Sequence, residues 1–177
     1  MKKVIVFLLL LWSVSSFSQN RIYVGGEVGL SYYEKSDISS IRIAPLVGYE
    51  LNSKWDIGAY IGYSYMQDNN GDKSSYSFSL APFARYNFSE KGLFRLFIEG
   101  GAGYSYSDME FSVVKHDKRN GFEVGLKPGF TVKLHDNIRF SAKFAFIGYR
   151  KNYLAYENGY FGNLSLNNLD LGLIVNL

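Results

Sequence analysis

The chain of 177 residues contains no cysteine. That excludes a disulfide framework, a thiolate metal site and a lipid-modified N-terminal cysteine. Histidine is scarce, and His116 and His135 stand too far apart for metal-ligand spacing. Neither lies beside a Ser or carboxylate partner on a strand, as a barrel hydrolase would need. Charge of one sign is also lacking. The formal net charge is only +3 and is spread along the chain, with no basic stripe on which nucleic acid would bind. No segment past the first residues is apolar for the ~20 residues of a membrane-spanning helix, and none holds a helical period long enough to matter. Proline numbers three.

What the sequence has is tyrosine, phenylalanine and glycine, at 15, 14 and 18 copies. They fall in segments that alternate, a pattern of all-β proteins. Eight such segments are predicted: Ile22–Tyr33, Ile41–Leu51, Trp55–Met66, Tyr76–Phe88, Phe94–Tyr106, Phe122–Leu134, Ile138–Tyr149 and Leu164–Leu177. The connections alternate in length. Asn52–Lys54, Ser89–Gly92 and His135–Asn137 are short and turn-like. Glu34–Ser40, Gln67–Ser75, Ser107–Asn120 and Arg150–Asn163 are long. Short turns at one end and long loops at the other describe an up-and-down meander closed into an eight-stranded antiparallel transmembrane barrel.

Successive strand side chains point to opposite faces, and charge here keeps to one of them. The charged set is Glu27, Arg42, Glu50, Asp56, Arg85, Arg95, Glu99, Glu123, Lys127, Lys133, Arg139, Lys143 and Asp170, interleaved with glycines. The opposite set is aliphatic in mid-strand, for example Val28, Val47, Ile61, Leu80, Leu126, Phe144 and Leu173. Tyr49, Trp55, Tyr86, Phe88 and Phe94 gather beside the short turns, and Tyr32, Tyr63, Tyr65, Tyr76, Tyr104 and Tyr106 beside the long loops. Two aromatic belts flanking an aliphatic band mark a lipid-facing surface, because amphipathic rings settle at the headgroup level. A soluble lipocalin-like barrel, with the apolar set lining a ligand cavity, leaves both belts unexplained.

The charged set then faces inward. A Lys or Arg on the lipid face costs about 2–4 kcal/mol at the midplane, whereas in a narrow barrel side chains fill the interior and pair. The charges crowd toward the short turns. Near the long loops the inward set is small: Gly29, Ser31, Gly62, Ser64, Ser77, Ser79, Gly103 and Ser105. The expectation is a polar vestibule open to the outside and sealed below by charge pairs. Pro45, Pro82 and Pro128 each stand at the same distance before a short turn and on the apolar set. Proline removes a ladder hydrogen bond, so three bends are expected there.

At the N-terminus Lys2 and Lys3 precede a short apolar run, Val4–Val14, and a small-x-small site at Ser16–Ser18. Residues 1–18 are predicted to be a secretory signal peptide and 19–177 the barrel. At the other end Asp170, Gly172, Val175 and Leu177 fit the polar-x-Gly-x-x-hydrophobic-x-hydrophobic pattern of a barrel-assembly signal, with Leu177 where an aromatic is commonest.

In strand layout, signal peptide and C-terminal pattern the whole mature chain resembles the small outer-membrane β-barrel family, which includes the OmpA transmembrane domain, OmpX and Ail and the group called the porin family. The resemblance implies the cell outer membrane, outer-membrane lipid and the barrel-assembly machinery as partners, and no cofactor. Its members include adhesins, structural barrels, narrow pores and, rarely, enzymes, so the fold leaves the activity open. The reading favoured by the residues is a non-enzymatic, monomeric surface barrel, structural or adhesin-like, plugged by charge pairs. The alternatives are a narrow pore for small solutes and a lipid-modifying barrel enzyme. Two loops are candidate binding surfaces for an extracellular partner. One carries Lys115, Lys118 and Arg119, and the other Tyr153, Tyr156 and Tyr160.

Overall fold

The computed structural model describes residues 21–33, 38–68, 73–111, 117–155, 158–164 and 169–177. The expected signal peptide lies outside them, as do Lys115, His116 and Tyr156. Ten segments are formed: β1 (Ile22–Tyr33), β2 (Ile38–Glu50), β3 (Trp55–Asp68), β4 (Lys73–Lys91), β5 (Phe94–Phe111), β6 (Asp117–His135), β7 (Ile138–Lys143), β8 (Ala145–Lys151), β9 (Gly159–Leu164) and β10 (Asp170–Asn176). They close into an eight-stranded antiparallel barrel, because β7 and β8 together make its seventh strand and β9 and β10 its eighth. Closure comes from β1 against β10, in register from Tyr23↔Asn176 to Gly29↔Asp170.

The alternation read from the sequence holds in the structure. The aliphatic set is on the outside, with Ile61 66% exposed and Val47, Leu80 and Leu173 also exposed. Aromatic rings meet across strands on the same surface. Trp55 and Tyr86 lie 4.9 Å apart beside the short turns, and Tyr65–Tyr76 and Tyr149–Tyr160 each 5.0 Å apart beside the long connections. β4, β5 and β6 are 19, 18 and 19 residues long. A tilted strand crosses the bilayer in ~9–11 residues, so these three project beyond it.

The prolines interrupt the ladder as expected. Pairing of β2 with β3 stops at Ile43↔Tyr63 and resumes at Leu46↔Tyr60, across Pro45. Pairing of β4 with β5 skips Pro82 in the same way, between Leu80↔Tyr104 and Phe83↔Gly101. At Pro128 the effect is larger. β6 pairs with β7 up to Gly129↔Lys143 and with β8 from Leu126↔Ile147, so the seventh strand spends one residue more than β6 between those rungs. The extra residue bulges at Phe144, whose N–H donates to the Pro128 carbonyl at 3.4 Å. A bulge flips the parity beyond it.

This corrects the single alternation expected over Ile138–Tyr149. Phe144 is half-buried, not fully lipid-facing, and beyond it Phe146 and Arg150 turn inward and are buried. The eighth strand also begins before Leu164, since β9 pairs with β8 from Gly159 onward. The fourth long connection is shorter than expected, because β8 continues to Lys151 and β9 begins at Gly159.

The inner face is also less uniform than a charged lining. Tyr23, Ala44, Leu46, Tyr60, Phe83 and Ile174 form a hydrophobic cluster within the barrel, on the same parity as the charges. Glycines admit these rings: a Cβ on Gly48 would collide with the Tyr23 ring, and one on Gly129 would lie 2.6 Å from Phe97.

Candidate functional site: the barrel interior

The inward side chains are arranged in tiers. The central tier takes one residue from each of five segments: Glu27 (β1), Tyr60 (β3), Arg85 (β4), Glu99 (β5) and Lys143 (β7), all buried. Lys143 Nζ lies 2.7 Å from Glu27 and 3.0 Å from Glu99. Arg85 Nη2 lies 2.8 Å from Glu99. The Tyr60 phenol oxygen sits among them, 2.9 Å from Glu99 and 3.1 Å from Glu27, and accepts from Arg85 at 3.2 Å and Lys143 at 3.3 Å. The phenol has one hydrogen and two carboxylates in reach, so it donates to one of them at a time. Two acids and two bases make the tier neutral. Aromatic faces complete the packing, with the Arg85 guanidinium 4.2 Å from the Phe97 ring centre and Lys143 Nζ 4.4 Å from that of Tyr60.

Above it, Arg42 binds Asp170 at 2.7 Å and reaches Glu27 at 3.7 Å, which ties this tier to the central one. Glu123 binds Lys127 at 2.6 Å and Arg150 at 2.9 Å, and Arg150 stacks over Phe146 at 3.9 Å. A small cavity lined by Tyr60, Glu99, Glu123, Lys127 and Phe146 separates the two levels.

Below, Glu50 binds Arg139 at 2.7 Å and faces Arg95 at 3.7 Å, while Arg95 also binds Glu90 at 3.0 Å. Asp56 accepts from Asn87 at 3.2 Å. Buried ions of this kind persist only when paired, because several kcal/mol of desolvation per ion must be offset.

Twelve of the thirteen charges expected inside therefore stand in these tiers. Lys133 does not. The register slips between Lys133 and His135, and Lys133, whose side chain is 45% exposed, turns to Asp136 in the short turn at 2.9 Å. Its ammonium hydrogen-bonds the Asp136 carboxylate and holds that group below the usual carboxylate range. The charges are also not confined to the short-turn end, since three levels span the barrel. Tyr60 and Arg150 were absent from the expected set. Tyr60 shares its parity with Asp56, Gly58 and Gly62 and was recoverable on that ground. Arg150 was hidden by the bulge.

The open vestibule is a second correction. The connection after β8 folds back into the mouth, and Tyr153 and Leu154 are only 2% and 3% exposed. Tyr153 is therefore not the exposed loop aromatic that was expected. Leu154 donates its N–H to Ser105 Oγ at 2.9 Å, and Ser77, Ser79, Ser105 and Ser107 are all buried at this end of the barrel. Asn152 and Leu154 adopt φ of 52° and 53°. For a residue such as leucine that conformation costs roughly 1–2 kcal/mol.

Tyr160, 89% exposed, faces outward beside Tyr149 and extends the upper belt. Lys118 and Arg119 are exposed at the top of β6, where Arg119 pairs with Asp117 at 2.7 Å. In the C-terminal pattern, Asp170 and Gly172 point inward toward Arg42 and Glu27, while Val175 and Leu177 are exposed on the outside.

A lipid-type exterior around a paired polar interior is the inverse of a soluble barrel. A model of the outer membrane protein beta-barrel domain matches residues 4–175. The chain belongs to that family. Two solved outer-membrane barrels share its fold. The N-terminal β-barrel domain of Pseudomonas aeruginosa OprF is 14% identical, with a TM-score of 0.58, covering 90% of this chain and 98% of that one. Neisserial surface protein A is also 14% identical, with a TM-score of 0.57 and the same coverage, 90% and 98%. No curated protein matches the chain. In a barrel of this size inward side chains take up most of the lumen, and here they do so in three tiers of pairs.

Proposed function

We propose that this outer-membrane barrel is a non-enzymatic surface protein, structural or adhesin-like, whose interior seals the membrane and whose outer ends meet the partner. The observation that carries the seal is the central tier. Four side chains from four other segments converge on the Tyr60 phenol, every charge among them is paired, and the tier lies between further pairs above and below. An ion crossing this level must displace a buried ion pair. The surface role is supported by the length of β4, β5 and β6, and by the exposed Lys118 and Arg119 at the upper end of β6.

Planar-bilayer recording tests the seal. The wild type is expected to show no steady conductance. Arg85→Ala leaves Glu99 short of a partner and removes the bulk packed on Phe97, so discrete openings are expected. A large, steady conductance in the wild type would sink this reading in favour of the narrow pore. Release of labelled acyl chain from outer-membrane lipid by the purified barrel would instead favour the enzyme. For the partner, Lys118→Glu with Arg119→Glu is expected to weaken attachment of expressing cells to an anionic surface without lowering the amount of folded barrel.

A further inference from the structure

A surface connection has no need to enter the barrel it connects, yet the turn after β8 does so. Tyr153 and Leu154 are as buried as core residues. Asn152 and Leu154 are the two non-glycine residues with positive φ among the described residues, and they bracket the tyrosine. Strained backbone of this kind concentrates at ligand clamps and switches.

The wall that receives the ring is cut to its shape. A Cβ on Gly103 would lie 2.6 Å from the Tyr153 phenol oxygen and 2.7 Å from two ring carbons. Gly121 makes the same allowance for the turn's backbone, since a Cβ there would lie 2.5 Å from the Tyr153 nitrogen. The phenol faces Ser79, and Ser105 Oγ takes the Leu154 N–H. Farther up the same column of β4, Ser77 binds Ser107 at 2.7 Å. Ser75 Oγ, buried one step beyond, has no hydrogen-bond partner among the described residues. The mouth is thus a hydroxyl-lined slot for one ring, with an unpartnered buried hydroxyl two rungs farther up the same column.

We propose that this slot is a binding site for a phenolic ring, and that Tyr153 is its built-in occupant, displaced as the turn swings outward. The proposal deepens the surface-barrel reading and rests on it. The phenol is supplied by a free small molecule or by a tyrosine side chain presented on a peptide, and the recognition chemistry is the same.

The test uses the full barrel in detergent micelles, titrated with p-cresol and separately with the peptide Gly-Tyr-Gly. The amide resonances of Ser79, Gly103 and Ser105 are followed. Tyr153→Ala, which empties the slot, is expected to give saturable shifts. Wild type is expected to give the same shifts with affinity weaker by about ten- to a hundredfold, because the competent open turn is a minor state. A Ser105→Cys/Leu154→Cys pair, free of competing thiols, is expected to lose the response on oxidation and regain it on reduction. A response to p-cresol alone assigns a free phenol, and a response to the peptide as well assigns a presented tyrosine. Shifts confined to Tyr153→Ala would mark an engineered cavity only and overturn the proposal, as would no response in any form. Should Tyr153→Ala fail to fold, Gly103→Ala supplies the second arm, since its Cβ crowds the ring out. Faster amide exchange at residues 152–155 than in wild type supports displacement, and unchanged exchange overturns it. The seal fails or stands on conductance, and the slot on these shifts, so the two are told apart.

Discussion

A single hydroxyl organises the middle of this barrel. Tyr60 stands within reach of two carboxylates, donates to one of them at a time, and accepts from both cations that neutralise them. Tyr60→Phe keeps the ring against Phe83 and removes only that oxygen. A loss of about 1–3 kcal/mol is expected, the cost of leaving buried polar groups short of a partner, and it is measurable as a shift in the urea midpoint. Arg85→Ala should cost more, about 3–5 kcal/mol, since it strands a buried charge. A Tyr60→Phe variant as stable as wild type would show that water substitutes for the phenol. The charged partners were legible in the sequence, because ionisable side chains restricted to one parity must share one face of the sheet. Tyr60 was less so, since a tyrosine fits a belt as well as a core, and only its parity with Asp56 separates the two. Tyr153 was not legible at all. Its burial depends on a backbone reversal through two left-handed residues, neither of them glycine, in a connection with no periodicity.

The strand seven bulge is the element that alternation could not reveal. Period-two reading assumes that every residue advances the ladder, and Phe144 does not. One residue decides whether Phe146 and Arg150 lie in the core or in lipid. Deleting Phe144 should remove the bulge and keep the register, because Ala145 then follows Lys143 on the outer face and Phe146 and Arg150 stay inward. The expected outcome is a folded yield in lipid vesicles close to wild type, visible as an undiminished fast-migrating unheated band on a gel. Deleting Phe144 and Ala145 together should instead throw Arg150 onto the outer face and Ile147 inward, with a large loss of that band. The three prolines were a partial warning. Each marks a place where the ladder is broken, but only Pro128 meets a bulge, because only there does the neighbouring strand supply a residue to fill the gap. Short turns are legible because local chemistry fixes them, such as the Asn52 side chain accepting from the Lys54 and Trp55 amides at 2.9 and 3.0 Å.

For the whole molecule, the exterior is what the bilayer selects and the interior is what the exterior leaves over. Ile61→Lys, at an exposed mid-strand position, should destabilise the barrel by about 2–4 kcal/mol in lipid vesicles. Ile61→Leu should be close to neutral by the same unfolding titration. Equal effects of the two would mean that Ile61 does not face lipid. This scale was the most legible, because belts, band and charge sorting are repeated on every strand and survive an error in any one of them. The filling of the lumen was less so, since side chains from many strands meet there and no local pattern states which ones touch.

The seam between β1 and β10 sets an order of events. Tyr23 pairs with Asn176, nearly the full chain apart, and the central tier needs Glu27 from that first segment together with Lys143 from β7. Loop-closure entropy is spent before such a pairing returns anything. A chain still missing its last segment has an open edge on both sides, and its Arg42 lacks Asp170. Folding of this barrel is therefore all or nothing in a temporal sense, with the core finished only when the circle is, and a truncated chain is left with adhesive edges instead of a smaller barrel.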